Sequence, residues 1–130
     1  MKKENYLNLK GKLEAIVEES PAYNILAFVG FGVQMVEGNL FVGYEDQYEQ
    51  LASLEVKGDC SYAELLEYTQ KAIDNLEAEI PESYNRDSPE EFDRYVNQFG
   101  SLRAYVSLKD KLMNIPERII ETLLGGEPRD

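Results

Sequence analysis

The sequence predicts an α+β domain in which a short antiparallel sheet, a hairpin or three-stranded meander over about residues 24–57, packs against three to four amphipathic helices. Three observations carry that expectation. Residues 61–79 show helical periodicity behind a complete N-cap signal, residues 24–57 alternate with period two between glycine turns, and helical patterns stand on both sides of that region. A chain of 130 residues is long enough for one hydrophobic core and too short for two. A single acidic domain over 1–130 is therefore expected, with a short polar tail at 125–130.

In a first helix from about Glu4 to Glu19, Tyr6, Leu9, Leu13, Ile16 and Val17 share one face, and Ser20-Pro21 ends it because proline disfavours α geometry in the residue before it. From Asn24 the period changes. Ile25, Ala27, Val29, Phe31, Val33 and Met35 alternate with Leu26, Phe28, Gly30, Gly32, Gln34 and Val36, which reads as a strand buried on much of both faces. Gly38-Asn39 suits a two-residue hairpin turn into Leu40–Tyr44, since both residues tolerate positive φ. Over 45–59, Ala52, Leu54 and Val56 alternate as a third strand would, while Tyr48, Leu51 and Leu54 also fit a short helix; the strand is the favoured reading.

Ser61 with Glu64 forms a capping box for a helix running to about Glu79, with Tyr62, Leu65, Leu66, Thr69, Ala72, Ile73, Leu76 and Ile80 on one side and Glu64, Glu67, Lys71, Asp74 and Asn75 on the other. After a polar loop, Ser88 as N-cap and Pro89 at the first helical position start a third helix through Phe92, Tyr95, Val96 and Phe99, which Gly100 is expected to stop. Residues 102–108 fit strand or helix. A last helix is expected over Pro116–Leu124, closed by Gly125-Gly126.

The absences restrict function. No histidine occurs, which removes the side chain that most often moves protons near neutral pH and binds zinc, copper or iron. One cysteine, Cys60, cannot form an internal disulfide or, without histidine, a zinc finger or a Cys-His nucleophile. Cys60 stands before a capped helix, where a dipole lowers a thiol pKa, yet without a base nearby it reads as a turn residue. No carboxylate spacing matches a calcium loop, and Gly30-Phe31-Gly32 lacks the third glycine or the Lys-Ser/Thr of a phosphate loop, so it reads as a bend or bulge. No enzyme activity, cofactor or metal is expected. No signal peptide and no apolar run of about 20 residues is present, so a cytoplasmic protein without membrane contact is expected.

The net charge is −12, and its distribution is uneven. Lysines and acids cancel over 1–20 and bases and acids cancel over 100–130, whereas the acids of 21–99 face only Lys57, Lys71, Arg86 and Arg94. That field opposes direct contact with nucleic acid or anionic lipid and attracts basic protein surfaces. Nine tyrosines accompany no tryptophan, and tyrosine anchors interfaces with a rigid ring and one polar tip. The candidate partner-binding residues are therefore Tyr44, Glu45, Asp46, Tyr48, Glu49, Glu64, Glu67, Tyr68, Asp74, Tyr84, Asp87 and Glu90.

In size and acidity the chain resembles the small anti-restriction and anti-CRISPR inhibitors of phages, a resemblance of composition without a shared motif. It implies a protein-binding inhibitor whose carboxylates occupy a basic, nucleic-acid-binding surface. The plainer reading is acidity for solubility. Two alternatives are a self-associating protein pairing through a hairpin edge, Val33–Val36 or Leu40–Tyr44, and a small-ligand pocket lined by Phe28, Phe31 and Phe41.

Overall fold

The computed structural model describes residues 2–125. In chain order it contains α1 (Lys3–Glu19), α2 (Ala22–Phe28), β1 (Val33–Val36), β2 (Asn39–Glu45), β3 (Leu51–Lys57), α3 (Tyr62–Glu79) and α4 (Pro89–Leu124). The strands form one antiparallel meander, β1-β2-β3, so the fold is α+β as the sequence predicts. Leu40 and Val42 of β2 and Ala52, Leu54 and Val56 of β3 are buried on the inner face, where they join Leu26, Leu65, Ala104, Leu108, Leu112 and Ile115 from the helices in one core.

The first helix forms where expected, but its buried seam is Tyr6 and Val17 with Leu13 half-buried between them. Leu9 and Ile16 are exposed, because the 6/13/17 spacing points inward and those two lie about a quarter-turn away. Residues 25–32 are not strand. Every position there is apolar or glycine, so alternation could not discriminate, and Ala22 and Leu26 are instead buried one helical turn apart on α2. Gly30, at φ 73°, closes α2 in a Schellman arrangement: Phe31 N–H donates to the Leu26 carbonyl at 2.9 Å and Gly30 N–H to the Ala27 carbonyl at 3.1 Å. Gly30 is therefore the left-handed residue that follows the C-cap Val29.

The hairpin turn lies one residue earlier than Gly38-Asn39. Glu37 and Gly38 have φ of 50° and 84°, the two positive values of a type I′ turn. Asn39 is already in β2, opposite Val36 and Lys57. The third strand is β3, and the competing short helix through Tyr48, Leu51 and Leu54 is absent. Gly58 N–H donates to the Gly38 carbonyl at 2.8 Å, and a Cβ on Gly58 would lie 2.6 Å from that oxygen, so only glycine allows β3 to end against the β1–β2 turn.

The capping box forms as read: Ser61 Oγ accepts from Glu64 N–H at 3.1 Å and Glu64 Oε1 from Ser61 N–H at 3.2 Å. Two backbone bonds splice the start of α3 to the α1–α2 corner, Ala22 N–H to the Cys60 carbonyl and Tyr62 N–H to the Ser20 carbonyl. This splice buries Cys60, and burial, followed by Glu64 and Asp59, raises its thiol pKa, opposite to what a reactive thiol needs.

The largest correction concerns 89–124, expected as a helix stopped at Gly100, an ambiguous segment and a final helix. It is one helix of 36 residues, about 54 Å at 1.5 Å per residue. Ala104, Leu108, Leu112, Ile115 and Ile119 are buried at helical spacing through the ambiguous segment. Gly100 is not a stop but a close approach, since a Cβ there would lie 2.6 Å from Gln50 Oε1. Pro116 sits inside the helix, where it removes one backbone bond without ending it. Gly125 caps the helix in the left-handed region, and Gly126 with most of the polar tail lies outside the described residues.

Two substitutions test this packing by denaturant unfolding. The Tyr62 hydroxyl is buried with no hydrogen-bond partner among the described residues, so Tyr62→Phe is expected to be neutral or stabilising by up to about 1 kcal/mol. Gly58→Ala is expected to cost about 1–3 kcal/mol by forcing the Gly38 turn and Met35 away from β3.

Candidate functional site

The twelve residues singled out from the sequence separate into three places. Glu64, Glu67, Tyr68 and Asp74 lie along the outward side of α3. Leu65, Thr69 and Ile73 hold the opposite side in the core, which fixes the direction in which the carboxylates project. Asp74 accepts from Gln70 Nε2 at 2.8 Å and Glu64 serves the capping box, so both are oriented by their own helix.

Tyr84, Asp87 and Glu90 gather at the α3–α4 corner. Asn85 N–H donates to Glu91 Oε2 at 2.7 Å, Asp87 N–H donates to Asn85 Oδ1 at 3.0 Å, and Ser88 caps α4 through Glu91 N–H. The Tyr84 ring packs against Phe92 and Tyr95 with centroids 5.5 and 4.7 Å away, and Tyr95 packs edge-on against Phe99 at 4.7 Å. Gln98 Nε2 donates to the Glu79 carbonyl across the corner. The corner thus carries exposed Glu79, Glu82, Asp87, Glu90, Glu91 and Asp93 on an ordered aromatic base, with Arg86 and Arg94 among them.

Tyr44, Glu45, Asp46, Tyr48 and Glu49 do not join that surface. They sit at the β2–β3 loop on the other side of α4, where Gln50 meets Gly100 while Gln98, two residues away, bonds to α3. There Tyr44, Glu45, Asp46 and Tyr48 face Arg103, Ser107, Asp110, Lys111 and Asn114 across a polar groove of about 610 Å³. Tyr44 is half-buried against the core. Asp46 is drawn inward, its side chain 3% exposed. Asp46 Oδ1 accepts the amide hydrogens of Tyr48 and Gln50 at 2.8 and 2.9 Å, and Oδ2 lies 3.4 Å from Arg103 Nε. The Arg103 guanidinium in turn covers the Tyr48 ring at 4.2 Å from its centroid. Asp46 thus serves as a loop fastener, and the turn it closes holds Glu49 at φ 62°.

Sequence reasoning missed Arg103, because Asp46 and Arg103 are 57 positions apart and only the fold brings them together. It also missed that Phe92, Val96, Phe99, Val106 and Met113 remain exposed along α4, because a helix stopped at Gly100 divides that row. The proposed phenylalanine pocket does not assemble. Phe28 is exposed at the end of α2, Phe31 packs on the core, and Phe41 lines a shallow groove on the outer sheet face with Gly32, Gln34 and Val36. Among the described residues no group of three or more Cys, Asp or Glu is placed to hold a metal ion, and no helix is long and apolar enough to cross a membrane.

Burial alone would raise the Asp46 pKa, but the Gln50 and Tyr48 amides and then Arg103 outweigh it and hold the carboxyl below its ordinary value. A carboxyl whose folded pKa is depressed stabilises the fold above its unfolded pKa and loses that contribution as pH falls through the folded value. Acidification from about pH 4 downward is therefore expected to loosen the 46–50 loop, seen as lower protection of the Tyr48 and Gln50 amides relative to their intrinsic exchange rates at each pH. In Asp46→Asn those amides should be less protected at pH 7 and show a smaller change in that window.

Comparison of the chain with protein-family models, curated proteins and solved structures finds no match.

Proposed function

We propose that this chain is a non-enzymatic, acidic protein-binding module that presents α3 and the α3–α4 corner to a basic surface of a partner protein, in the manner of a nucleic-acid mimic occupying a nucleic-acid-binding cleft. One observation carries the reading. The outward side of α3 and the corner display Glu64, Glu67, Asp74, Glu77, Glu79, Glu82, Asp87, Glu90 and Asp93, with Lys71, Arg86 and Arg94 the bases among them. Capping at Ser61 and Ser88 and the aromatic packing at Tyr84 hold this charge on a preformed scaffold, so little ordering entropy opposes binding. Tyr68 and Phe92 are exposed aromatic residues within this field, and an anti-defence role of the phage type is the biological setting that its chemistry fits.

The test is capture of partners from a lysate of the source cell or its natural host at low and high salt, with bound proteins identified by mass spectrometry. A basic nucleic-acid-binding protein retained at low salt, lost at high salt and displaced by DNA or RNA supports the mimic. Two unit charges about 4 Å apart in water interact by about 1 kcal/mol, and reversing one swings that by about 2 kcal/mol, so each of Glu67→Lys and Asp74→Lys is expected to weaken that binding by about thirtyfold at low salt. Glu49→Lys, on the other side of α4, should have little effect. Capture that is indifferent to salt and to both α3 reversals sinks the reading.

One observation favours self-association as a second reading. The β3 edge is guarded, because the Tyr105 hydroxyl accepts from Ser53 N–H at 3.2 Å and donates to the Ser53 carbonyl at 2.5 Å. The β1 edge is uncharged and pairs only with β2. Leu40–Tyr44 is no edge at all, since β2 is bonded on both sides. If β1 pairs with a copy of itself, Met35→Lys should return the protein to monomer in sedimentation with an unchanged circular dichroism spectrum.

A further inference from the structure

Every residue from 74 to 99 is exposed or half-buried, whereas α3 before this stretch buries Tyr62, Leu65, Thr69 and Ile73, and α4 beyond it buries Gly100, Ala104, Leu108 and Leu112. The end of α3, the start of α4 and the corner between them thus stand clear of the core as a protrusion. Leu76, Ile80, Tyr84, Ser88, Tyr95 and Gln98 are its half-buried residues. The packing of the Tyr84 ring on Phe92 and Tyr95 lies within it.

Several features oppose its closing. The stretch carries eight acids against Arg86 and Arg94, half of the chain's net charge of −12, and these carboxylates repel one another. The last turn of α3 holds Glu77 and Glu79 and no base, so like charge stands at the negative end of the helix dipole. Across the protrusion Gln98 Nε2 donates to the Glu79 carbonyl at a long 3.4 Å, while Gln98 Oε1 is shielded from water with no hydrogen-bond partner among the described residues. At its root stands Gly100, a poor helix former, whose close approach to Gln50 anchors the helix beyond it. Little burial, strong like charge and a glycine root place this stretch at the low-stability end of the fold.

We propose that residues 74–99 open and close as one unit while the core stays folded, with the open fraction set by repulsion among their carboxylates and hence by cations in solution. The closed form is the major species, held by the Ser88 cap and the ring packing of Tyr84, and added positive charge favours it further. The carboxylates of the corner are thus carried on a unit that positive charge closes. Opening is a property of the free chain and is independent of the mimic reading.

The test is hydrogen exchange of the full chain in sodium chloride at about 10 mM and about 1 M, between which the screening length falls from about 30 Å to about 3 Å. At low salt the amides of 75–79 and 95–99 are expected to be at least about tenfold less protected, relative to their intrinsic rates, than those of 104–112, and to share one shallow urea dependence. High salt should raise the protection of both stretches by about tenfold. The pair Glu77→Lys with Glu79→Lys, both at exposed positions of α3, should raise the protection of 95–99 on the other helix by about tenfold at low salt and reduce its response to salt. Protection of 75–79 and 95–99 equal to that of 104–112, or indifferent to salt, overturns the proposal. So do different urea dependences for the two stretches, which mean that each helix end frays alone, and so does protection of 95–99 unmoved by the two lysines.

Discussion

Burial of Ala104, Leu108, Leu112 and Ile115 of α4 beneath the inner face of β2 and β3 is the contact on which the rest of the structure depends. A meander of three short strands has one apolar face and cannot stand in water uncovered. The helix that covers it also touches α1 and α3, so it is the element through which the sheet and the other long helices are held together. Its length follows from this role. A helix ending at Gly100 would leave the inner face of β3 open, whereas one continuing through Leu112 and Ile119 buries it.

Two local devices make that packing close enough to hold. Gly100 lets the β2–β3 loop approach the helix through Gln50, and Asp46 then joins the loop to Arg103 one turn further on. Tyr105, on the same stretch, satisfies the backbone of Ser53 at the outer edge of β3. Loop, strand edge and helix are thus fastened by three neighbouring residues of α4. At the far side of the core, the backbone splice between Ser20–Ala22 and Cys60–Tyr62 does the same for α1, α2 and α3.

This arrangement sorts the charge. The sides of α3 and α4 that face the core are closed to carboxylates, so the acids between residues 61 and 93 are forced outward onto one side and one corner. The acids at the β2–β3 loop lie beside the basic half of α4, where Arg103 and Lys111 offset them. An acidic composition spread along the sequence becomes a surface with a strongly negative side, the property on which the mimic reading rests.

Capped, strongly periodic elements were legible in the residues alone. Ser61 and Glu64 with Leu65, Thr69 and Ile73 define α3, and Ser88-Pro89 marks the start of α4, because caps and a single buried face are properties of adjacent residues. The alternation of Ala52, Leu54 and Val56 likewise favoured β3 over a short helix through Tyr48, Leu51 and Leu54. What depends on distant contacts was not legible. The run 25–32 is apolar or glycine throughout, so whether it is helix or strand was decided by Ala22 and Leu26 meeting the core. Gly100 and Pro116 read locally as helix ends, yet burying Leu108, Leu112 and Ile115 favours one unbroken helix by more than those two residues disfavour it. Asp46, indistinguishable in sequence from its acidic neighbours, became a structural carboxylate only because the fold brings Arg103 to it. Caps and single buried faces determined α3 and the start of α4; whether the remaining segments are helix or strand, and which face each element shows to water, was decided by the tertiary contacts, since exposure is set by neighbours far away in the chain.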